Sequence, residues 1–221
     1  MIISHRHGFV FVHVNKVAGS SLTDSLAAVC GPKDIIGRMS GAEAGRSQNN
    51  EIPIPKMTLR SLGSWAKRRR RPMVASHTRA TQARRLIGPD LWDRYFTFAI
   101  ERNPWDKAVS RYFWDRYRHL DEDPGFSTFL REVPKWKLTT FGLYSARGKI
   151  IVDEVLRYES LAQELGRVWD RLGIFPPDPS LKLGGTRPEW ARDYRVMYGD
   201  GDAEFIARVC SREIAAFGYR F

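Results

Sequence analysis

Three groups of residues have types and spacing suited to chemistry. In the first, Asn15-Lys16-Val17-Ala18-Gly19-Ser20-Ser21 joins a Val- and Phe-rich run over 9–14 to a segment with Leu22, Leu26 and Val29 at helical spacing. A strand, a tight loop and a helix turn free backbone N–H groups and a positive dipole end towards an anion. Lys16 adds a charge, and Ser20 and Ser21 add hydroxyl donors. Both serines also suit a helix N-cap, and Ser21-Leu22-Thr23-Asp24 fits a capping box. The stretch reads as a phosphate or sulfate cradle. The plainer alternative is a βα turn with a solvated lysine. It is not a Walker A loop, which places its lysine after the second glycine.

The second group follows Tyr95–Ile100, a clear strand pattern broken by Glu101-Arg102-Asn103-Pro104. Asn103 suits an N-cap and Pro104 the first helical position. Trp105, Ala108, Val109 and Tyr112 then recur at i, i+3, i+4 and i+7. Arg102 falls at the strand tip and Ser110 about two turns into the helix. An arginine fork with a hydroxyl makes a phosphate clamp. The alternative is that Arg102 pairs with a carboxylate and Ser110 is incidental. The third group is His77, at the end of a strand expected over Pro72–His77, ahead of a short helix over Thr81–Leu86. Ligands in open parallel sheets bind at the carboxyl ends of strands. An ordinary surface histidine is the alternative there.

The first two motifs, in this order, resemble PAPS-dependent carbohydrate sulfotransferases, of the heparan sulfate 2-O-sulfotransferase and bacterial types (PAPS is 3′-phosphoadenosine-5′-phosphosulfate). That family's first loop usually reads His-Ile-Pro-Lys-Thr-Ala-Gly-Thr-Ser; Asn15 replaces the proline here and Val17 the threonine. Its second motif is similar to Arg102-Asn103-Pro104-Trp105-Asp106-Lys107 with Ser110. Leu156-Arg157-Tyr158-Glu159 and the closing Phe217-Gly218-Tyr219 also resemble family segments. The resemblance implies that Lys16, Val17, Ala18, Gly19, Ser20 and Ser21 hold the 5′ end of PAPS, and that Arg102 and Ser110 hold its 3′-phosphate. It implies, more loosely, a closing loop over Gly184–Pro188 that brings Thr186 to the nucleotide.

These residues need a scaffold, and the chain can supply one. With 221 residues and 43% hydrophobic content it suits a single α/β domain over 1–221. Alternating strand and helix patterns give a three-layer fold with a central parallel sheet, and the resemblance makes it P-loop, nucleotide-kinase-like. Gly- and Pro-containing sequence over 31–72 reads as an insertion or mobile region. It ends in Lys67-Arg68-Arg69-Arg70-Arg71, either a solvated face or a docking patch. A net charge of +11 implies an anionic partner. Two cysteines are too few for a disulfide scaffold and fit a reducing, cytoplasmic setting; neither a signal peptide nor a membrane span is expected. Aromatic and basic residues over 113–148 suit either an acceptor groove or helix packing. Ser160 with Gln163 should cap a helix that ends at Gly173.

The implied reaction moves a sulfuryl group to a hydroxyl, on a carbohydrate, with no metal. Lys16 stabilises the leaving oxygen. A base takes the acceptor's proton, for which a histidine is suited near neutral pH. His77 is the first choice, His13 the second although it lies in the strand, and Glu101 the third. Two other classes stay open: a nucleotide kinase-like phosphotransferase, and a non-catalytic basic nucleic-acid-binding protein.

Overall fold

The computed structural model describes residues 1–17, 19–38, 47–51, 73–119, 123–175 and 187–221; of residues 19–21, 118 and 119 it describes the backbone alone. Strands β1 (Ile2–Ser4) and β2 (Phe9–Val12) form an antiparallel hairpin, with Ile2 opposite Phe11. Helix α1 (Gly19–Val29) follows, then the short β3 (Ile35–Ile36), which pairs antiparallel with β1. Helices α2 (Ala80–Ile87) and α3 (Pro89–Arg94) lead into β4 (Phe96–Glu101) and the long α4 (Pro104–His119). After α5 (Phe126–Glu132) and α6 (Phe141–Tyr144), a small β5–β6 hairpin (Ser145–Ala146 and Lys149–Ile150) precedes β7 (Glu154–Arg157). Helices α7 (Leu161–Leu172), α8 (Asp202–Val209) and α9 (Ser211–Phe217) complete the described α-helices.

Among the described residues the main sheet has the order β3-β1-β2-β4-β7. The expected parallel arrangement holds in its centre, where β4 pairs parallel with both β2 and β7. β2 and β4 are buried at every position, as their unbroken hydrophobic runs require of strands covered on both faces. The edge formed by β1 and β3 is antiparallel, so the sheet is mixed. Leu22 and Leu26 of α1 and Leu161, Leu165 and Val168 of α7 belong to the core around this sheet. α4 turns Trp105, Ala108, Val109 and Tyr112 into a second cluster with Phe129, Leu130 and Ile206.

The strand expected over Pro72–His77 does not form. Pro72 lies outside the described residues, and the rest is held by isolated bridges, Met73 to Glu51 and Ala75 to Arg38. Gly37 permits the close approach: a Cβ there would lie 2.7 Å from the Ala75 carbonyl oxygen. α7 begins and ends where expected, with Gly173 in the left-handed region at φ 61°. Its cap differs, since the Ser160 hydroxyl donates to Glu164 at 2.8 Å and makes no bond to the helix backbone.

Candidate anion site

β2 and β4 run parallel, so both release their chains at the same edge of the sheet. Beyond β2 the loop is pinned by Val14 and Val17, both fully buried, with Asn15 and Lys16 partly exposed between them. Lys16 takes φ 63°, the left-handed region. A non-glycine residue held there costs about 1–3 kcal/mol, and such strain gathers at binding loops. α1 then starts at Gly19, ahead of both serines. Ser20 and Ser21 therefore lie in the first turn and not at the N-cap, a correction to the capping-box reading. First-turn N–H groups have no intrahelical acceptor, and this turn carries no acidic residue to occupy them.

The second motif comes to the same place. Asn103 caps α4 as expected: its Oδ1 accepts from the backbone N–H of Trp105 at 3.0 Å and of Asp106 at 3.4 Å. Arg102, at the tip of β4, is buried and lies over the Tyr158 ring at 4.1 Å. Its Nη1 donates to the Lys16 carbonyl at 3.1 Å, and its Nε donates to Asp106 at 2.6 Å. Arg102 is thus both a carboxylate partner and a link between the two motifs. Ser110 lies two turns further along, partly buried. One turn beyond it, Trp114 presents its ring to the Lys16 ammonium, 4.0 Å from the centroid.

Arg187 is the residue that sequence reasoning missed. Its Nη1 donates to the second oxygen of Asp106 and its Nε to the Ala191 carbonyl. Its Nη2 is buried and has no partner among the described residues. Two guanidinium groups therefore share one carboxylate and leave a net positive charge at the sheet edge. The available signal is the basic character of Gly184–Pro188, where the family resemblance points to the neighbouring Thr186. Thr186 itself lies outside the described residues, as do Ala18 and the Lys67–Arg71 run.

The two histidines meet. His13 is buried directly after β2, with its ring centroid 4.6 Å from that of His77 and 5.8 Å from that of Phe11. His77 Nδ1 lies 3.1 Å from the His13 carbonyl oxygen. A carbonyl can only accept, so Nδ1 carries the hydrogen and the neutral ring keeps its lone pair on Nε2. Burial pushes the His77 pKa below the usual histidine value; the bond to the His13 carbonyl opposes this and the Arg111 charge adds to it. Burial likewise holds His13 well below that value. The His13 Nδ1 has no partner among the described residues.

Glu101 does something else. One carboxylate oxygen accepts from the Arg102 backbone at 2.9 Å and from Lys107 Nζ at 2.6 Å. The other accepts from Thr140 Oγ1 at 3.0 Å and from the Tyr144 hydroxyl at 2.7 Å. With both oxygens saturated and the side chain wholly buried, Glu101 is poorly placed to take a proton from a substrate. Burial alone would lower the Lys107 pKa, but the Glu101 carboxylate outweighs it and the net shift is upward. Phe113, Phe141 and Tyr144 are likewise core residues, whereas Tyr117 and Trp136 are exposed.

Residues 1–140 match the sulfotransferase family, and the chain belongs to it. It is therefore a transferase of sulfuryl groups. Both motifs fall within the matched residues, and Arg187 lies beyond them. The chain is 33% identical over 102 residues to an uncharacterised protein of Archaeoglobus fulgidus, covering 43% of this chain and 82% of that one. It also resembles the crystal structure of a sulfotransferase from Alicyclobacillus acidocaldarius, with 18% identity, a TM-score of 0.44 and coverage of 97% of this chain and 96% of the other. No described helix is long and apolar enough to cross a membrane.

Proposed function

We propose that residues 1–221 act as one PAPS-dependent sulfotransferase domain that passes a sulfuryl group to a hydroxyl of a carbohydrate. The observation that carries this reading is the hydrogen bond from Arg102 to the Lys16 carbonyl, which unites two anion-binding motifs at one sheet edge. The donor set fits a nucleotide with phosphates at both ends. The 16–21 loop and the start of α1 would hold the 5′ end; Arg102 and Ser110, with Arg187 beside them, would hold the 3′-phosphate. The Nη2 of Arg187, buried and without a partner among the described residues, supports this fit, since such a donor is costly without an acceptor.

PAPS, when bound, supplies an activated sulfuryl group whose transfer leaves negative charge on the departing phosphate oxygen. Lys16, held near by its strained backbone, contributes a positive charge against that development. His77 is the base: its Nε2 lone pair accepts the acceptor's hydroxyl proton, and the His13 carbonyl fixes the tautomer. A nucleotide-kinase reading is weaker, because the residue after the lysine is the buried Val17 in place of a magnesium-binding hydroxyl. The test is transfer of radiolabel from ³⁵S-PAPS to a panel of hydroxyl acceptors. Transfer that depends on Lys16 and Arg102 is expected. Phosphate transfer from ATP without sulfuryl transfer would overturn the reading.

A further inference from the structure

We propose that Trp114, Tyr117 and Trp190 form an aromatic shelf that seats the rings of an extended oligosaccharide acceptor beside Lys16. This rests on the sulfotransferase reading and adds where, and in what form, the acceptor binds.

The apolar face of α4 is spent on the second core cluster. Ser110, Trp114 and Tyr117 follow at spacings of four and three residues and so share another face. Trp114 meets the Lys16 ammonium at 4.0 Å, which puts one end of the stripe at the transfer point. Tyr117 stands one turn further on, about 4.5 Å along the axis, and is 79% exposed. Phe113, beside this stripe, is buried, with Trp190 packed edge-on at 6.0 Å. Trp190 itself stays 64% exposed. It follows Arg187 by three residues, and Arg187 is tied to α4 through Asp106. The 187–190 segment therefore runs along α4 from the anion clamp to Phe113, and the shelf is continuous with the site.

Openness decides the class of ligand. A small lipophilic alcohol or phenol needs a pocket that encloses roughly 70–90% of its surface. Rings as exposed as Tyr117 and Trp190 offer a flat face and leave the other side wet. A sugar ring suits that surface, with C–H groups for the face and hydroxyls for water and for the polar tips of Tyr and Trp. Three aromatic rings, Trp114 and Tyr117 on successive turns of α4 and Trp190 on the 187–190 segment, offer more face than one sugar ring covers and favour a chain of rings.

The test uses ³⁵S-PAPS with the one-ring and six-ring members of the cello-, chito- and galacturono-oligosaccharide series, and with 4-nitrophenol and 1-octanol. Transfer to at least one six-ring carbohydrate is expected, with KM raised about tenfold in Tyr117→Ala and in Trp190→Ala. Tyr117→Phe and Trp190→Phe keep a ring face and lose only the polar tip, so each should raise the six-ring KM by less than its alanine counterpart. KM for a single ring should change little, and the stabilisation by adenosine 3′,5′-bisphosphate should be unaltered. Transfer only to the phenol or alcohol, transfer to no carbohydrate, or an unchanged six-ring KM would overturn the shelf. So would a wild-type dimer that either alanine variant dissolves, since the rings would then be a subunit contact. Failure of adenosine 3′,5′-bisphosphate to bind would instead strike the donor reading beneath it.

Discussion

Arg102 donates to the carbonyl of Lys16 at 3.1 Å, across 86 positions of sequence. The bond ties the loop after β2, with its strained Lys16, to the residue that precedes α4. Arg102→Lys keeps the charge but not the fork, so it should lose the bonds to Lys16 and Asp106 together. We expect at least tenfold weaker binding of adenosine 3′,5′-bisphosphate, with a stability loss of about 1.5–3 kcal/mol for a charge-assisted bond. Calorimetric titration and urea denaturation measure the two. Wild-type values for Arg102→Lys would mean that the fork is not needed.

Lys16 separates charge from backbone conformation. Lys16→Ala and Lys16→Gly both remove the ammonium, and each should lower kcat by about 10²–10³. Only glycine relieves the positive φ. Lys16→Gly should therefore be more stable than Lys16→Ala by about 1–2 kcal/mol. Denaturant midpoints decide it: equal stability of the two variants would show that residue 16 is not held in the left-handed region.

His77 sets an expectation for pH. Its folded pKa lies below the usual 6.5. The unfolded chain therefore binds a proton at higher pH than the folded one, and more protons are bound in the unfolded state within that window. The associated stability is present above about pH 6.5 and is lost as pH falls through the depressed folded value. With His77 as the proposed base, activity should follow the same direction, since it accepts a proton only while neutral: the acidic limb of kcat/KM should lie below 6.5. His77→Ala should cost about 10²–10⁴ in rate and leave nucleotide binding intact. An active His77→Ala alongside an inactive His13→Ala would transfer the role to His13.

Glu101 and Lys107 form a buried ion pair at 2.6 Å. Lys107→Met should destabilise the protein by about 3–5 kcal/mol, because it strands a buried carboxylate. Glu101→Leu with Lys107→Met should recover much of that loss, which thermal unfolding of the single and double variants would measure. A double variant as unstable as the sum of the singles would contradict the pairing.

How far the sequence could be read depended on the range of the signal. β2 and β4 announced themselves as unbroken hydrophobic runs, and α4 through Asn103-Pro104 and its periodicity. Those local signals also drew attention to Lys16 and Arg102, which the fold brings into contact. β1 escaped notice because three residues are too few to show a period. Residues 73–77 looked like a strand, but pairing is a property of two chains, and their partners are the single residues Glu51 and Arg38. Arg187 lies 81 positions from Asp106, and nothing local marks that contact. Glu101 looked available beside the clamp only because Lys107, Thr140 and Tyr144 could not be placed around it.

The most direct test of the central claim needs no acceptor. Adenosine 3′,5′-bisphosphate and adenosine 5′-monophosphate differ only in the 3′-phosphate assigned to Arg102 and Ser110. A ligand that binds only the folded state at a hundredfold excess over Kd adds about 2.7 kcal/mol of stability. The bisphosphate should therefore raise the melting temperature by several degrees and the monophosphate by much less, at matched ionic strength. In Arg102→Ala the two should become nearly alike, since the lost bonds are charge-assisted. Equal shifts from both nucleotides in the wild-type protein would contradict the 3′-phosphate clamp, and with it PAPS as the donor.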